Sequence, residues 1–468
     1  MLAALALAGC KTVGPDFQPP APPPAQRFAM AGDDAVQRAA GEKVAGDWWA
    51  LFGSPELDAV VRQAVAGSPT LARAKATLAQ SKQAIAAETG LFSGGLTAGA
   101  KREHANLSAF GFSGQKFGLS NPTFSLYSVG ATVAYDLDPF GGSRRRKEAL
   151  NATAEANAHE VDAAYLTLTG KVVEQALAIA AARAEIAAAE QIVESDRADL
   201  DMMRRAKAAG GATGFDTAAV ESQLAADAAA IPPLRQKLAV ARHALAILVG
   251  QAPSNWTAPD FALERISLPA ALPTTVPSEL ARTRPDILAA EARLHAATAQ
   301  IGVEAANLYP KISLSASLNQ DALTPEKIFS TDFSSWSLAA GLTAPLFDRK
   351  RLQARRDEAM EAAKVEAAAY EETVLQAFGQ VADVLQAVAH DDQAYADQTR
   401  ALEAAARTLE LARISERGGE GTALAVLEAE RSWRRARLDL VQAEARRYAD
   451  AAQLYLALGT VPPGTAAH

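Results

Sequence analysis

The chain has 468 residues, and 46 Lys and Arg stand against 54 Asp and Glu, so its formal net charge is -8. Hydrophobic residues make up 49% of it, which excludes an intrinsically disordered protein. The acidic balance argues against a nucleic-acid-binding protein, because binding phosphates requires an extended basic face.

Five segments are rich in Ala, Leu, Glu, Arg and Gln, a composition typical of long helices. They cover about 144–207, 213–249, 285–308, 349–417 and 422–458. In the fourth, apolar residues such as Val374, Phe378 and Val381 follow a four-three spacing, which predicts a coiled-coil seam. In the second, Pro232 and Pro233 predict a kink or a break.

Three shorter segments alternate apolar residues with small or polar ones, which is the period of a β-strand with two different faces. They lie at 127–137, 312–318 and 336–344. A half-buried sheet with one face in water produces this pattern, and so does a barrel with one face toward lipid. Strands of about ten residues fit either alternative.

The chain contains an internal repeat with a spacing of about 208 residues. The stretch 139–146 matches 345–351 where a strand joins a long helix, and Gly210-Gly211 matches Gly418-Gly419 at a helix hairpin. Each half is therefore predicted to contain a helix, two strands, a long helix, a turn and a helix. Because a two-stranded ribbon is not stable alone, the strands need further partners, and closure by oligomerisation is the economical solution.

The amino terminus carries the one cysteine of the chain, which excludes an intramolecular disulfide and a cysteine metal cluster. Leu7-Ala8-Gly9-Cys10 follows a short apolar run and resembles the lipobox of bacterial lipoproteins. This resemblance implies a covalent lipid on Cys10 and outer-membrane sorting through Lys11, and we expect no other cofactor. An incidental or buried thiol is the alternative. The proline-rich residues that follow predict an extended strap.

Several motifs together resemble the outer membrane factor family, the TolC-like efflux channels, and specifically its OprM-like and NodT-like lipoprotein branch. They are Val13-Gly14-Pro15-Asp16-Phe17, Asp47-Trp48-Trp49-Ala50-Leu51-Phe52, Tyr135-Asp136-Leu137-Asp138-Pro139-Phe140-Gly141, Arg284-Pro285-Asp286-Ile287 and Leu456-Ala457-Leu458-Gly459. The resemblance implies a mainly α fold with a small β part. Long coiled-coil hairpins would form a periplasmic α-barrel, and four strands per chain would contribute to a trimeric, twelve-stranded outer-membrane barrel.

The resemblance also implies a function as the outer-membrane channel of a tripartite efflux system in a Gram-negative bacterium. The homotrimer would be a passive conduit for small molecules, with a periplasmic adaptor, an inner-membrane pump and outer-membrane lipid as partners. It would be lipid-anchored and membrane-inserted, extend into the periplasm, and be gated at the periplasmic helix tips.

At the second hairpin tip, relatives often have an aspartate-tyrosine pair where this chain has Thr422 and Ala423. We therefore take other charged residues as candidates for the aperture, with solvated surface groups as the alternative. These candidates are Asp216, Glu420, Glu428 and Arg417. The candidates for adaptor contact are the tip residues Gly210, Gly211, Thr213, Gly418, Gly419 and Thr422.

An enzyme is not predicted, because the six histidines lack metal-ligand spacing and Gly170-Lys171 lacks the first Walker glycine. The basic clusters at 144–147 and 349–351 are expected to contact lipid headgroups and no nucleic acid, with exposed helix starts as the alternative. The competing class is an anchored periplasmic coiled-coil scaffold that inserts no strands into a membrane.

From these patterns we divide the chain into six parts. They are a signal peptide without the usual basic start (1–9), a lipidated N-terminus with a proline-rich strap (10–46), a first repeat (47–250), a linker (251–276), a second repeat (277–459) and a C-terminal tail (460–468).

Overall fold

The structure is a computed structural model, and it describes residues 12–21, 24, 28, 30, 46–88, 92–104, 123–269 and 277–459. The predicted signal peptide, Cys10, Lys11 and the predicted C-terminal tail lie outside the described residues. The six-part division of the chain stays a prediction.

Both halves of the described chain follow the same order of elements. The first half consists of α1 (Pro55–Gly67), α2 (Pro69–Ala87), β1 (Phe92–His104), β2 (Thr123–Leu137), α3 (Gly142–Ala208) and α4 (Gly214–Leu248). The second consists of α5 (Pro277–Thr283), α6 (Pro285–Ala306), β3 (Lys311–Ala322), β4 (Ser334–Thr343), α7 (Arg349–Arg417) and α8 (Ala423–Leu458). The five predicted long helices are confirmed, each within two residues at either end.

The strands form one antiparallel sheet in the order β1-β2-β3-β4 within the described residues. One row across it joins Leu96, Ala131, Leu318 and Trp336 on the same face. Leu96 and Trp336 are both 79% exposed. The opposite face carries small and polar residues, as where the hydroxyls of Ser317 and Ser337 lie 2.8 Å apart. The predicted two-faced sheet is confirmed.

Strand β1 is an element that alternation did not locate. Its sequence is rich in glycine and alanine, so it carries few apolar side chains to mark a period of two. It nevertheless pairs along its whole length with β2, from Phe92 opposite Tyr135 to His104 opposite Thr123. Backbone pairing with the neighbouring strand therefore defines this element.

The predicted break at Pro232 and Pro233 is wrong, because α4 continues as one helix through both prolines. The alternative, a kink at this point, stays a prediction. Packing explains the outcome. Ile231 is buried with Ala189 and Val193 of α3, and apolar residues of α4 on both sides of the prolines join this cluster. This contact with the neighbouring helix offsets the hydrogen bonds that the prolines cannot donate.

Contacts divide the chain into two compact units. The first combines residues 1–20, 79–155 and 291–368 and holds the sheet with the helix ends that join it. The second combines residues 21–78, 156–290 and 369–468 and holds the two helix hairpins. Its main core includes Trp48, which stacks on Tyr455 at 5.5 Å. Among the described residues, no helix is sufficiently long and apolar to cross a membrane.

Candidate functional site

The first hairpin tip reverses the chain between α3 and α4 through a glycine-dependent C-cap. Gly210 has a φ of 79°, which is unfavourable for residues with a side chain. The N–H of Gly211 donates to the carbonyl of Ala206 at 2.8 Å, and that of Gly210 donates to Lys207 at 3.0 Å. This pair of bonds is a Schellman motif, which satisfies the last carbonyls of α3.

The helix that leaves this tip begins with a capping box. The Asp216 N–H donates to the hydroxyl of Thr213 at 3.2 Å, and the Thr213 N–H donates to the Asp216 carboxylate at 2.8 Å. These bonds from Thr213 hold the pKa of Asp216 below its ordinary value. The carboxylate of Asp216 is thus engaged in starting α4.

The second tip repeats the Schellman motif at matching positions. Gly419 has a φ of 76°, and its N–H donates to Glu416 at 3.0 Å. The N–H of Glu420 donates to the carbonyl of Ser415, also at 3.0 Å. Thr422 then caps α8 by accepting from the N–H of Ala425 at 3.2 Å. The position that matches Asp216 of the first tip is Ala425 in the second tip, so the cap of α8 lacks a carboxylate.

The other aperture candidates lie on or near the second tip and differ in their contacts. The side chain of Glu420 is exposed on the second tip, and Arg417 donates its Nε to the carbonyl of Arg413 at 3.1 Å. Glu428 lies in the second turn of α8 and lines a cavity of about 620 Å³ together with Asp227 and other charged side chains. Within the described residues, Glu420 and Glu428 therefore retain free carboxylates, unlike Asp216.

A charged network that the sequence did not indicate joins three helices of the second unit near the tips. Glu430 of α8 pairs with Arg413 of α7 and accepts from Arg434 at 2.7 Å. Arg434 also lies 3.9 Å from the carboxylate of Asp199 on α3. Burial raises the pKa of Asp199, although Arg434 opposes this effect. Glu430 and Arg434 thus link the two hairpins electrostatically.

Two carboxyl groups also meet between α3 and α4. Asp196 is 4% exposed, and its Oδ2 has no hydrogen-bond partner among the described residues. Burial, and then hydrogen bonding to Asp227, raises the pKa of Asp196 to about 6, while Arg431 opposes the shift. Asp227 in turn accepts a bond from Gln223 at 2.7 Å. A proton shared between the two carboxyl groups satisfies this geometry.

A second carboxyl pair joins α7 to α8 in the same unit. Burial, and then hydrogen bonding to Asp391, raises the pKa of Asp450 to about 6. The Oδ2 of Asp391 is buried without a partner among the described residues. Nothing in the sequence marks either pair, because each carboxylate occupies a helix position that reads as a solvated surface residue. Only the side-by-side packing of two helices brings the acids together.

Comparison with known proteins gives consistent matches over most of the chain. The outer membrane efflux protein family matches residues 60–251 and 276–460. The pyoverdine export outer membrane protein OpmQ of Pseudomonas aeruginosa is 31% identical over 426 residues, or 90% of this chain and 89% of that protein. Nodulation protein T of Rhizobium leguminosarum bv. trifolii is 28% identical over 464 residues, or 97% and 94%. The solved outer-membrane channel OprN matches with a TM-score of 0.84 at 28% identity, covering 96% of this chain and 99% of that chain.

The paired hairpins, the two-faced sheet and these matches define an outer-membrane efflux channel. The chain belongs to the outer membrane efflux protein family, in the branch that includes nodulation protein T. The predicted class, fold and outer-membrane location with a periplasmic extension are confirmed, and the protein is a channel and no enzyme. Channels of this family function as trimers with an adaptor and an inner-membrane pump. The scaffold alternative is therefore excluded.

Proposed function

We propose that three copies of this chain close one continuous efflux conduit and that the hairpin tips form its periplasmic aperture. The observation that carries this proposal is the open sheet. Strands β1 and β4 are its two edges, so each leaves a row of backbone groups without a strand partner among the described residues of one chain. Pairing of β1 from one copy with β4 from the next satisfies both edges and closes a ring of twelve strands.

The two faces of the sheet support insertion of this ring into the membrane. The face with Leu96, Leu318 and Trp336 is apolar and exposed, as a lipid-facing surface requires. The other face carries Ser317 and Ser337, which suit a water-filled lumen. A sheet lying in water would bury its apolar face, whereas all ten residues of β4 are exposed in the single chain.

We assign the aperture to the hairpin tips, where threefold symmetry would place three copies of each charged side chain around one axis. Of the candidate acids, Glu420 and Glu428 are the two with exposed carboxylates that form no ion pair within the described residues. Arg417 would contribute positive charge beside them, and Asp216 would act mainly through the cap of α4. Repulsion among like charges in such a ring gives a physical means of biasing the opening.

The same tips are the proposed contact with a periplasmic adaptor, which would link the channel to an inner-membrane pump. The glycines of both Schellman motifs lack side chains and leave the turn backbone accessible to another protein. Gly210, Gly211, Thr213, Gly418, Gly419 and Thr422 would form this surface.

Acylation of Cys10 is the remaining element of the proposed function. The lipobox is followed by a segment whose first described residue, Thr12, already packs on the protein. Acyl chains on Cys10 would add a membrane anchor independent of the strands.

The test separates the lipid from the strands. We would export a Cys10→Ser variant with a signal peptide that leaves no lipid and wash the membranes with alkaline carbonate. We expect the variant to stay in the outer-membrane fraction, because the strands alone anchor it. Full extraction by carbonate would contradict insertion of the strands, and wild-type protein without acyl groups would contradict acylation.

A further inference from the structure

Residues 12–17, which we call the N-terminal clasp, are bound to the junction between β2 and α3. The N–H of Val13 donates to the carbonyl of Phe140 at 3.0 Å. At the other end of the clasp, the ring of Phe17 stacks on His295 of α6, with 4.4 Å between the ring centroids and 12° between the planes. The clasp therefore adds its own contacts to two separate elements of the first unit.

A buried arginine holds the middle of the clasp. Arg145 is 3% exposed, so it does not face lipid headgroups as the sequence predicted for its cluster. It donates to the carbonyls of Val13 at 3.2 Å and Gly14 at 3.3 Å, and to the carboxylate of Asp16 at 2.6 Å. Its remaining bond goes to Glu148 at 2.8 Å. Without the clasp, a buried guanidinium would lose most of its acceptors, which is strongly unfavourable.

The clasp lies so close to the protein that glycine is required at the contact. Gly14 has a φ of 90°, and a Cβ on it would lie 2.4 Å from the Cα of Gly302. A Cβ on Gly141 would lie 2.6 Å from the methyl group of Thr12. Such distances leave no room for a side chain at either position. The clasp is therefore packed backbone against backbone in one defined position.

We propose that the clasp is a positioning element that fixes the lipid anchor at the junction of β2 and α3. This inference rests on the proposed acylation of Cys10. Chain connectivity keeps the Cα of Cys10 within about 7 Å of that of Thr12. Arg145, Gly14 and Gly302 thereby place the acyl chains level with one end of the sheet.

Release of the clasp would let the lipid anchor move over a distance larger than the thickness of the membrane core. Among the described residues, the next aromatic contact after the clasp is that of Phe28, whose ring lies 5.8 Å from that of Phe378. Cys10 precedes Phe28 by 18 residues, a length of chain that spans up to about 60 Å when extended. The hydrocarbon core of a bilayer is about 30 Å thick. The bound clasp therefore holds the lipid near the strand ends and keeps its effective concentration there high.

Two insertion variants test positioning without disturbing the clasp. Ten Gly and Ser residues would be inserted between Lys11 and Thr12, upstream of the clasp, or between Pro20 and Ala21, downstream of it. Conversion to SDS-resistant trimers would be followed by pulse-chase labelling. We expect roughly tenfold slower conversion for the upstream insertion, because effective concentration falls steeply with tether length. The downstream insertion should behave as wild type. Equal rates for both insertions would overturn the positioning role.

Point variants test the bonds that hold the clasp. Arg145→Met removes its donors, and Arg146→Met is the matched control, since Arg146 is an exposed arginine one residue further on. Hydrogen exchange at Val13 should be at least about tenfold faster in Arg145→Met and unchanged in Arg146→Met. Gly14→Ala changes the clasp itself and should also accelerate this exchange. Unchanged protection in Arg145→Met and Gly14→Ala would overturn the inference.

The mass of the N-terminal peptide separates this inference from the acylation on which it rests. A wild-type peptide without acyl groups would refute the acylation and, with it, the positioning role. An acylated wild type whose upstream insertion variant forms trimers at the normal rate would refute the positioning role alone.

Discussion

Asp196 on α3 and Asp227 on α4 lie within hydrogen-bonding reach, and burial leaves one oxygen of Asp196 without a partner in the described part of the chain. Two ionised carboxylates in this position would repel each other, so the pair favours one shared proton. The second pair, Asp391 and Asp450, joins α7 and α8 in the same way. Each hairpin thus contains a contact between its two helices that is favoured at low pH and weakened as the pH rises through about 6.

The carboxyl pairs predict how stability depends on pH. Because the pKa of Asp196 in the folded protein is about 6, above its ordinary 3.8, the stabilising contribution is complete below about pH 4. It is lost as the pH rises through 6. Asp196→Asn should therefore reduce the fall in melting temperature between pH 4 and 6. The reduction should be partial, because the pKa of Asp450 is also about 6 and this residue still contributes to the fall.

The control for this titration is Glu194→Gln, which changes an exposed carboxylate on the same helix. It should leave the pH dependence as in the wild type. The shared-proton account would be wrong if Asp196→Asn kept the full wild-type slope between pH 4 and 6.

Glu430 predicts an effect on the aperture. Replacing it in Glu430→Gln removes the charge that holds Arg413 and Arg434 together across α7 and α8. We expect the free energy of unfolding to fall by about 1–3 kcal/mol, because Arg434 is left partly buried, with Asp199 at 3.9 Å as its one remaining ion-pair partner among the described residues. In planar bilayers the variant should spend more time open than the wild type.

Glu403→Gln is the matched control, because Glu403 pairs only loosely with Arg407 on the exposed surface of one helix, at 3.9 Å. Glu403→Gln should change the free energy of unfolding by less than about 0.5 kcal/mol. Open times in Glu430→Gln that equal those of this control would argue against a role of the network in closure.

The tip acids predict ion selectivity. The double variant Glu420→Gln and Glu428→Gln should lower the cation-to-anion permeability ratio, since both carboxylates are exposed and would recur in three copies. Reversal potentials in a salt gradient measure this ratio. An unchanged reversal potential in the double variant would remove these acids from the aperture.

Asp216→Asn predicts a different effect. It should increase hydrogen exchange at the start of α4, because the Asp216 carboxylate caps that helix.

The sheet predicts opposite outcomes for two adjacent substitutions in β4. Leu338 lies on the apolar face and Ala339 on the small, polar face. Leu338→Arg should impair membrane integration, because an arginine facing lipid costs about 2–4 kcal/mol at the bilayer centre. Ala339→Arg should integrate and alter conductance. Equal integration of both variants, measured by carbonate resistance, would contradict the assignment of faces.

Periodic features were predictable from the sequence, whereas contacts between distant segments were not. Helix lengths and the faces of β2 to β4 follow from local periods that a single segment displays. Arg145 reads as one of four consecutive basic residues, and its burial depends on a clasp that lies about 130 residues earlier. Likewise, the sequence shows Arg284 only as part of a motif. Its bond to the carbonyl of Ala457, at 2.9 Å, required the two ends of the second repeat to meet.

The second unit also combines features that the local sequence predicts with contacts that it does not. Glycine pairs at 210–211 and 418–419 indicate the reversals, and the structure shows Thr213 and Thr422 as the N-caps of α4 and α8. The capping role of Asp216 follows from its position three residues after Thr213, a signal present in the sequence. The Asp196 and Asp227 pair has no such signal, because its formation depends on the rotation of two packed helices.

The central claim, that three copies form one open conduit, is tested most directly by one preparation of the full-length protein in detergent. Light scattering corrected for bound detergent gives the number of chains, and the same sample is then placed in planar bilayers. A trimeric conduit predicts three chains per particle and discrete conductance steps. Single chains that give no conductance would contradict it.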